Sequence, residues 1–200
     1  GFLMMLYVVD TMGGPTAFQR LIADTAKGAQ GIVNLALNPE PSATPIGTTF
    51  SDIFANFSAA ATLDSNQLGL GFSNIDLAFG CSTTVCRVQY SGFNDTWSQM
   101  ATSGVQEIEG WGIRAYRYTG GTGAQLSIRV QPSESGFRGS LLERDSSTGT
   151  WSISEMVVDP ATSDLLALVD SFGGETDDVW VIVRFESAIG DCDYSYSSCV

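Results

Sequence analysis

A change of hydrophobic period at Asp64-Ser65-Asn66 limits the architectures open to this 200-residue chain. Upstream of it, apolar residues recur every three or four positions; downstream they recur every second position. The first pattern buries one stripe of a helix and the second buries one face of a strand. The reading is therefore α+β: a short N-terminal helical segment over residues 1–64, followed by an antiparallel, jelly-roll-like β-sandwich over residues 65–200.

Phe2 to Val9 reads as the end of a buried helix stopped by Gly13-Gly14. Pro15 stands at a favoured first helical position, and Ala17, Phe18, Leu21 and Ile22 make one apolar face. Gly28 and Gly31 introduce a third helix carrying Ile32, Val33, Leu35 and Ala36, ended by Asn38-Pro39, and 39–47 is a proline-rich loop. Thr49 and Asp52 form a capping-box pattern ahead of Phe50, Ile53, Phe54, Phe57 and Ala61, which fall on one helical stripe. Short helices such as these cover each other poorly, so the segment is expected to need another surface, here a missing domain.

Residues 69–79 open the alternating region. Trp111 to Tyr118 alternates with Trp111, Ile113, Ala115 and Arg117 on one side, and Leu126, Ile128 and Val130 alternate again after a turn at Gly120-Gly-Thr-Gly123. Leu141 to Arg144 and Trp151 to Val158 flank a hairpin loop at 145–149, and Leu165 to Val169 and Val179 to Phe185 surround Phe172-Gly173-Gly174. Val179-Trp-Val-Ile-Val183 is the most continuous apolar strand and is expected at the centre of its sheet.

Nine basic against 22 acidic residues leave a net charge of −13, with Lys27 the only lysine. Such a chain repels phosphate backbones, so no nucleic-acid partner is expected. The apolar run 2–9 is far shorter than the roughly 20 residues that cross a bilayer, so no membrane span is expected. It lacks the basic region and cleavage site of a signal peptide, and the chain begins inside this run, which reads as a piece of a longer protein.

The four cysteines, Cys81, Cys86, Cys192 and Cys199, lack zinc-finger spacing and have no histidine to join them. Disulfides in a secreted or cell-surface protein fit better, with three connectivities open. Asn56 and Asn94 begin glycosylation triplets.

The absence of histidine excludes Ser-His-Asp and Cys-His catalysis, and no phosphate-binding loop occurs. Glu107 and Glu109 read as solvated acids rather than a glycosidase pair. No catalytic, cofactor or metal ligand is assigned. Calcium is the one cofactor the composition leaves open, at Glu175, Asp177 and Asp178 or at Asp191 and Asp193, although neither cluster has EF-hand spacing. The pairs Tyr116/Tyr118 and Tyr194/Tyr196 each lie on one strand face and raise carbohydrate binding as a further reading.

Several of these segments, taken in order, resemble one family. Residues 1–22 resemble the stretch downstream of the zinc motif in secreted bacterial and archaeal metallopeptidases related to hyicolysin, and more distantly the immune-inhibitor-A type. Gly31-Ile-Val-Asn34 and Thr49-Phe-Ser-Asp-Ile-Phe54 are similar to that family's G-I-x-N and T-F-x-D-V-F-x-x-W helix, with Phe57 near the usual Trp. Residues 66–77 resemble the passage that follows, and Glu109-Gly-Trp111 through Tyr118 is similar to the opening of the family's C-terminal β domain. The family's H-E-x-x-H helix has no counterpart here, so no catalytic role carries over. The resemblance implies the tail of a peptidase lobe in 1–64 and an accessory sandwich in 65–200, for stabilisation, anchoring or substrate binding. The partner it implies is the missing N-terminal catalytic half or another chain. The alternative is an extracellular structural, adhesive or filament subunit capable of self-assembly.

Overall fold

A computed structural model describes residues 2–26, 28–63, 72, 94–96, 108 and 111–186. Four helices come first: α1 (Phe2–Thr11), α2 (Pro15–Ala23), α3 (Ala29–Leu37) and α4 (Phe50–Leu63). Pro15 opens α2 as its type predicts, and Gly14 before it adopts φ 66°, a left-handed conformation that glycine enters without strain. The capping box is reciprocal. Thr49 Oγ1 accepts from the Asp52 backbone N–H at 3.2 Å, and Asp52 Oδ2 accepts from the Thr49 N–H at 3.0 Å. Hydrogen bonding to its carboxylate, from the Thr49 side chain first and then from the Thr49 and Thr48 backbone N–H groups, holds the Asp52 carboxyl below the usual range. The expected stripe of α4 is core: Ile53, Phe54, Phe57 and Ala61 are buried with Tyr7, Val8, Met12, Ile32 and Leu35.

Eight strands follow among the described residues: β1 (Asn94–Thr96), β2 (Ile113–Thr119), β3 (Ala124–Val130), β4 (Phe137–Asp145), β5 (Trp151–Glu155), β6 (Val157–Val158), β7 (Leu165–Phe172) and β8 (Thr176–Phe185). They make a sandwich-like arrangement of two leaves. The larger runs β1-β2-β8-β4-β5, antiparallel except for the β1–β2 pair. The smaller joins β3, β7 and β6. One bridge, Phe172 to Thr176, connects the leaves. The α+β expectation and the central place of 179–183 agree with this order, and 145–149 is the β4–β5 hairpin loop.

Two connections differ from a simple reading of adjacent strands. Gly120–Gly123 does turn the chain between β2 and β3, yet β2 pairs with β8 and β3 with β7. Residues 172–176 likewise turn β7 into β8, and the two strands then part into different leaves. Both glycine turns therefore carry the chain across the sandwich. They touch: a Cβ added at Gly173 would overlap the Gly121 carbonyl, and Gly123 N–H donates to Phe172 O at 2.6 Å.

Period-two alternation explains how the leaves and helices meet. Val179, Val181 and Val183 of β8 point between the leaves, against Leu126 and Ile128 of β3, Leu141 of β4 and Leu165, Val169 and Phe172 of β7. The intervening Trp180 and Ile182 face the opposite way, joining Ala115 of β2, Leu142 of β4 and Ala59 and Leu63 of α4. The missing surface expected for the helical segment is thus in part the chain's own sheet: α4 buries its phenylalanines among the helices and Ala59 against β8. The layers are helices, larger leaf, smaller leaf.

Ile182, fully buried where α4 meets the sheet, tests this layering. Ile182→Ala is expected to cost about 2–5 kcal/mol, the range for truncating a buried aliphatic side chain. Thermal unfolding followed by both far-ultraviolet and tryptophan signals measures it, and a change below about 0.5 kcal/mol would contradict burial at the seam.

Candidate functional site: the seam between helix and sheet

Two groups of side chains fasten α4 to the larger leaf. Trp111 precedes β2 with φ 56°, an unusual value for a bulky residue. Its N–H donates to Phe185 O at 2.8 Å, and the Phe185 N–H donates to Gly112 O at 3.1 Å, so the β2–β8 ladder holds this backbone. The indole meets Phe50 edge-on, with centroids 4.6 Å apart and an interplanar angle of 71°, and Phe54 at 5.3 Å and 83°. Edge-to-face contacts of this kind suit the ring quadrupoles, and they compensate a backbone conformation that costs roughly 1–3 kcal/mol.

The second group is polar. Arg184 lies on the face of β8 that carries Ile182, and its side chain is 3% exposed. Its Nε donates to Glu186 Oε1 at 2.7 Å, Nη1 to Ser140 Oγ at 2.6 Å, and Nη2 to both Glu155 oxygens at 3.0 and 2.9 Å. Glu186 also accepts from Ser51 Oγ of α4 at 2.7 Å. A guanidinium taken out of water is tolerable only when its donors are matched in this way. The network therefore joins β4, β5, β8 and the first turn of α4.

Further along the same face stand two arginine–tryptophan pairs. Arg117 lies over Trp180 at 5.4 Å from the ring centroid, and Arg144 over Trp151 at 6.0 Å. Each guanidinium is also held bidentately, Arg117 by Asp178 at 2.9 and 2.6 Å and Arg144 by Asp177 at 2.9 and 2.7 Å. The hydrogen bond from Arg144 draws the Asp177 carboxyl below its usual range. Among the described residues no group of three or more acidic, cysteine or histidine side chains is placed to hold a metal. Asp177 and Asp178, two of the acids considered for calcium, both face arginines. Asp145 caps its hairpin loop, accepting from the Ser147 and Thr148 N–H and hydroxyl groups, and its carboxyl falls to about 2.

No protein-family model, curated protein or solved structure matches this chain.

The remaining sequence candidates fall as follows. Tyr116 and Tyr118 turn into the sandwich and pack on its core, with burial raising the Tyr116 phenol. Asn56 lies inside α4, where its side-chain nitrogen donates to Ile46 O at 3.0 Å. Asn94 opens β1. Cys81, Cys86, Cys192, Cys199, Glu107, Glu109, Asp191, Asp193, Tyr194 and Tyr196 lie outside the described residues, as does most of the strand expected over 69–79. A groove of about 420 Å³ between α2 and α3 is lined by Arg20, Asp24, Asn34 and Leu35, among others. Its polar walls bind each other or neighbours: Asn34 donates to Asp24 at 3.0 Å, and Arg20 to Glu40 at 2.9 Å.

The Arg184 cluster escaped the sequence reading, although a signal was there. In Val179-Trp-Val-Ile-Val-Arg184 the arginine continues a strand apolar on both sides, so period-two alternation puts it in line with Ile182 at a buried position.

Two variants test these assignments. Arg184→Met leaves Glu186 charged and largely buried and should cost about 3–5 kcal/mol, by analogy with other interrupted buried pairs; chemical denaturation measures it. Glu143 sits half-buried on the inter-leaf side of β4, where desolvation first and Asp170 second raise its pKa. An acid whose folded pKa is raised destabilises once pH rises above its unfolded value, near 4.3. Glu143→Gln should therefore melt higher than wild type at pH 7 and equally at pH 3; an equal melting temperature at both would remove the assignment.

Proposed function

We propose that this chain is the non-catalytic C-terminal region of a secreted metallopeptidase-like protein, in which the sandwich braces a helical lobe. One observation carries the reading. The helix motif Thr49-Phe-Ser-Asp-Ile-Phe54 meets Trp111, the described residue of the Glu109-Gly-Trp111 motif and 57 positions beyond Phe54, through the packing of its indole on Phe50 and Phe54. Those are the segments that carry the family resemblance, so their contact gives the resemblance a physical role: the β domain seats the helix.

Two further observations support it. The helical segment leaves Phe18 at 44%, Ile22 at 64% and Leu37 at 54% exposure, apolar surface that an adjoining lobe would cover. The acidic composition and the four cysteines suit an extracellular setting. In this reading the chain contributes support and orientation, and the zinc ligands and water-activating glutamate belong to the preceding half.

Two experiments decide it. The reading frame upstream of the codon for Gly1 is expected to encode H-E-x-x-H, and a frame without that motif would overturn the peptidase parent. The purified chain is expected to leave casein intact with or without zinc, and to lose helix and sheet in one transition. Trp111→Ala should shift helix loss to lower temperature than sheet loss. Proteolysis of casein by the chain, or coincident unchanged transitions in Trp111→Ala, would sink the bracing role.

A further inference from the structure

The loop from β6 to β7 contains the bond Asp159–Pro160, and its backbone is held at several points. The Asp159 N–H donates to Asp164 O at 2.8 Å, and the Ser163 N–H donates back to Asp159 O at 2.8 Å. The Ala161 N–H donates to Asp159 Oδ1 at 2.8 Å. Asp164 at the far end is buried and accepts from Arg129 Nε of β3 at 2.6 Å, so the charged partners beside the loop neutralise each other. Ser163 keeps φ 62°, a left-handed value that persists in such a residue only where the surroundings fix it. Pro160 through Ser163 are exposed, so water reaches the bond.

Three features of this loop favour one reaction. The hydrogen bond from Ala161 closes a ring that runs through the Asp159 carboxyl and the 159–160 peptide bond, which keeps the carboxyl beside its own residue's carbonyl carbon. The oxygen of that carbonyl already accepts from Ser163, a donor standing where negative charge would develop if the carbon were attacked. The Pro160 nitrogen carries no hydrogen, so attack of the following backbone nitrogen on the aspartate side chain is closed.

We propose that Asp159–Pro160 is a site of self-cleavage, with the Asp159 carboxyl as nucleophile and the Ser163 N–H holding the oxyanion. In the acid form Oδ2 attacks the Asp159 carbonyl carbon and closes a small ring through Cα, Cβ and Cγ; both reactants belong to one residue, so no encounter is needed. The bond from that carbon to the Pro160 nitrogen breaks, the carboxyl proton passes to the nitrogen, and a cyclic anhydride remains at Asp159. Water then opens the anhydride. The products are a chain ending in Asp159 with both carboxyls present and a chain beginning at Pro160 with a free secondary amine. One water is consumed, and nothing is oxidised or reduced. Acid favours the reaction because the nucleophile brings the proton that the leaving nitrogen takes.

The sheet decides what the cut does. Val157 stays paired with Leu166 and Val158 with Leu165, while β7 keeps β3, and β8 keeps β2 and β4. The cleaved protein remains assembled from residues 1–159 and 160–200, and the pieces part only on unfolding.

Mass spectrometry of the denatured chain reads the cut directly. The purified chain is incubated between pH 4 and pH 7, at each pH where near-ultraviolet circular dichroism reports it folded. The same chain in concentrated urea is the reference, because an Asp–Pro bond in an unstructured chain also opens in acid. Expected is a fragment pair meeting at 159–160 that forms faster toward low pH and at least about tenfold faster from the folded chain than in urea. Asp159→Asn keeps the oxygen that Ala161 bonds and should remove the rise toward low pH, and Pro160→Ala should slow the cut. A folded chain that stays whole, a rate no higher than in urea, an acid rise that survives Asp159→Asn, or an unslowed Pro160→Ala would each overturn the proposal. None of these outcomes bears on the upstream zinc motif or on Trp111, so this site and the bracing role fail separately.

Discussion

Strand β8 is apolar on both faces, and a strand of that kind is stable only where something covers each side of it. The valines at 179, 181 and 183 require the smaller leaf, while Trp180 and Ile182, with their in-sheet neighbours on β2, β4 and β5, require a second cover, which Ala59 and Leu63 of α4 supply. The three-layer arrangement follows from this one requirement. Removing the helices would leave Ile182 and its neighbours in water. Removing the small leaf would leave the valines there, and at roughly 25 cal/mol per Å² of apolar surface either loss is large against the marginal stability of a domain.

Arg184 adds selectivity to that hydrophobic demand. Burial of apolar surface would tolerate α4 sliding along the sheet, since area is non-directional. A buried guanidinium that must reach Ser140, Glu155 and Glu186, with Glu186 in turn bonded to Ser51, tolerates far less. Trp111 adds a third point of fixation through two aromatic edges. The seam is thus set by contacts of three kinds, and the polar one fixes the register.

Much of this was legible along the chain because period and capping are local properties. The Thr49–Asp52 box, the α4 stripe, the Asp145 hairpin loop and the central place of Val179–Val183 each follow from neighbours in sequence. The leaf crossings at Gly121 and Gly173 were not legible. A glycine turn between two alternating runs reads the same whether the strands pair or part, and the difference lies in which distant strand captures each. Ala59 was equally silent, since a small residue on a helix signals close approach only after its partner is known. Arg184 lay between these cases: its register marked it as buried, but its counterions came from β5 and the residue after β8, and its third partner, the Ser140 hydroxyl, from β4. The tyrosines at 116 and 118 shared a face as expected, and burial between the leaves rather than exposure decided their role.

The position of β8 also imposes an order in time. It is the last described strand to leave the ribosome, and β2, β4 and α4 all depend on it. The Ser51–Glu186 bond closes across 135 positions. Until Glu186 has emerged, α4 can form its capped turns but has no sheet to lie on, and β4 and β5 exist at most as a lone hairpin, marginal in water. Apolar faces therefore stay uncovered until β8 has been made, and assembly, governed by distant pairings, is intrinsically slow. The helices and both leaves therefore take their final places together, once this one strand lies between them.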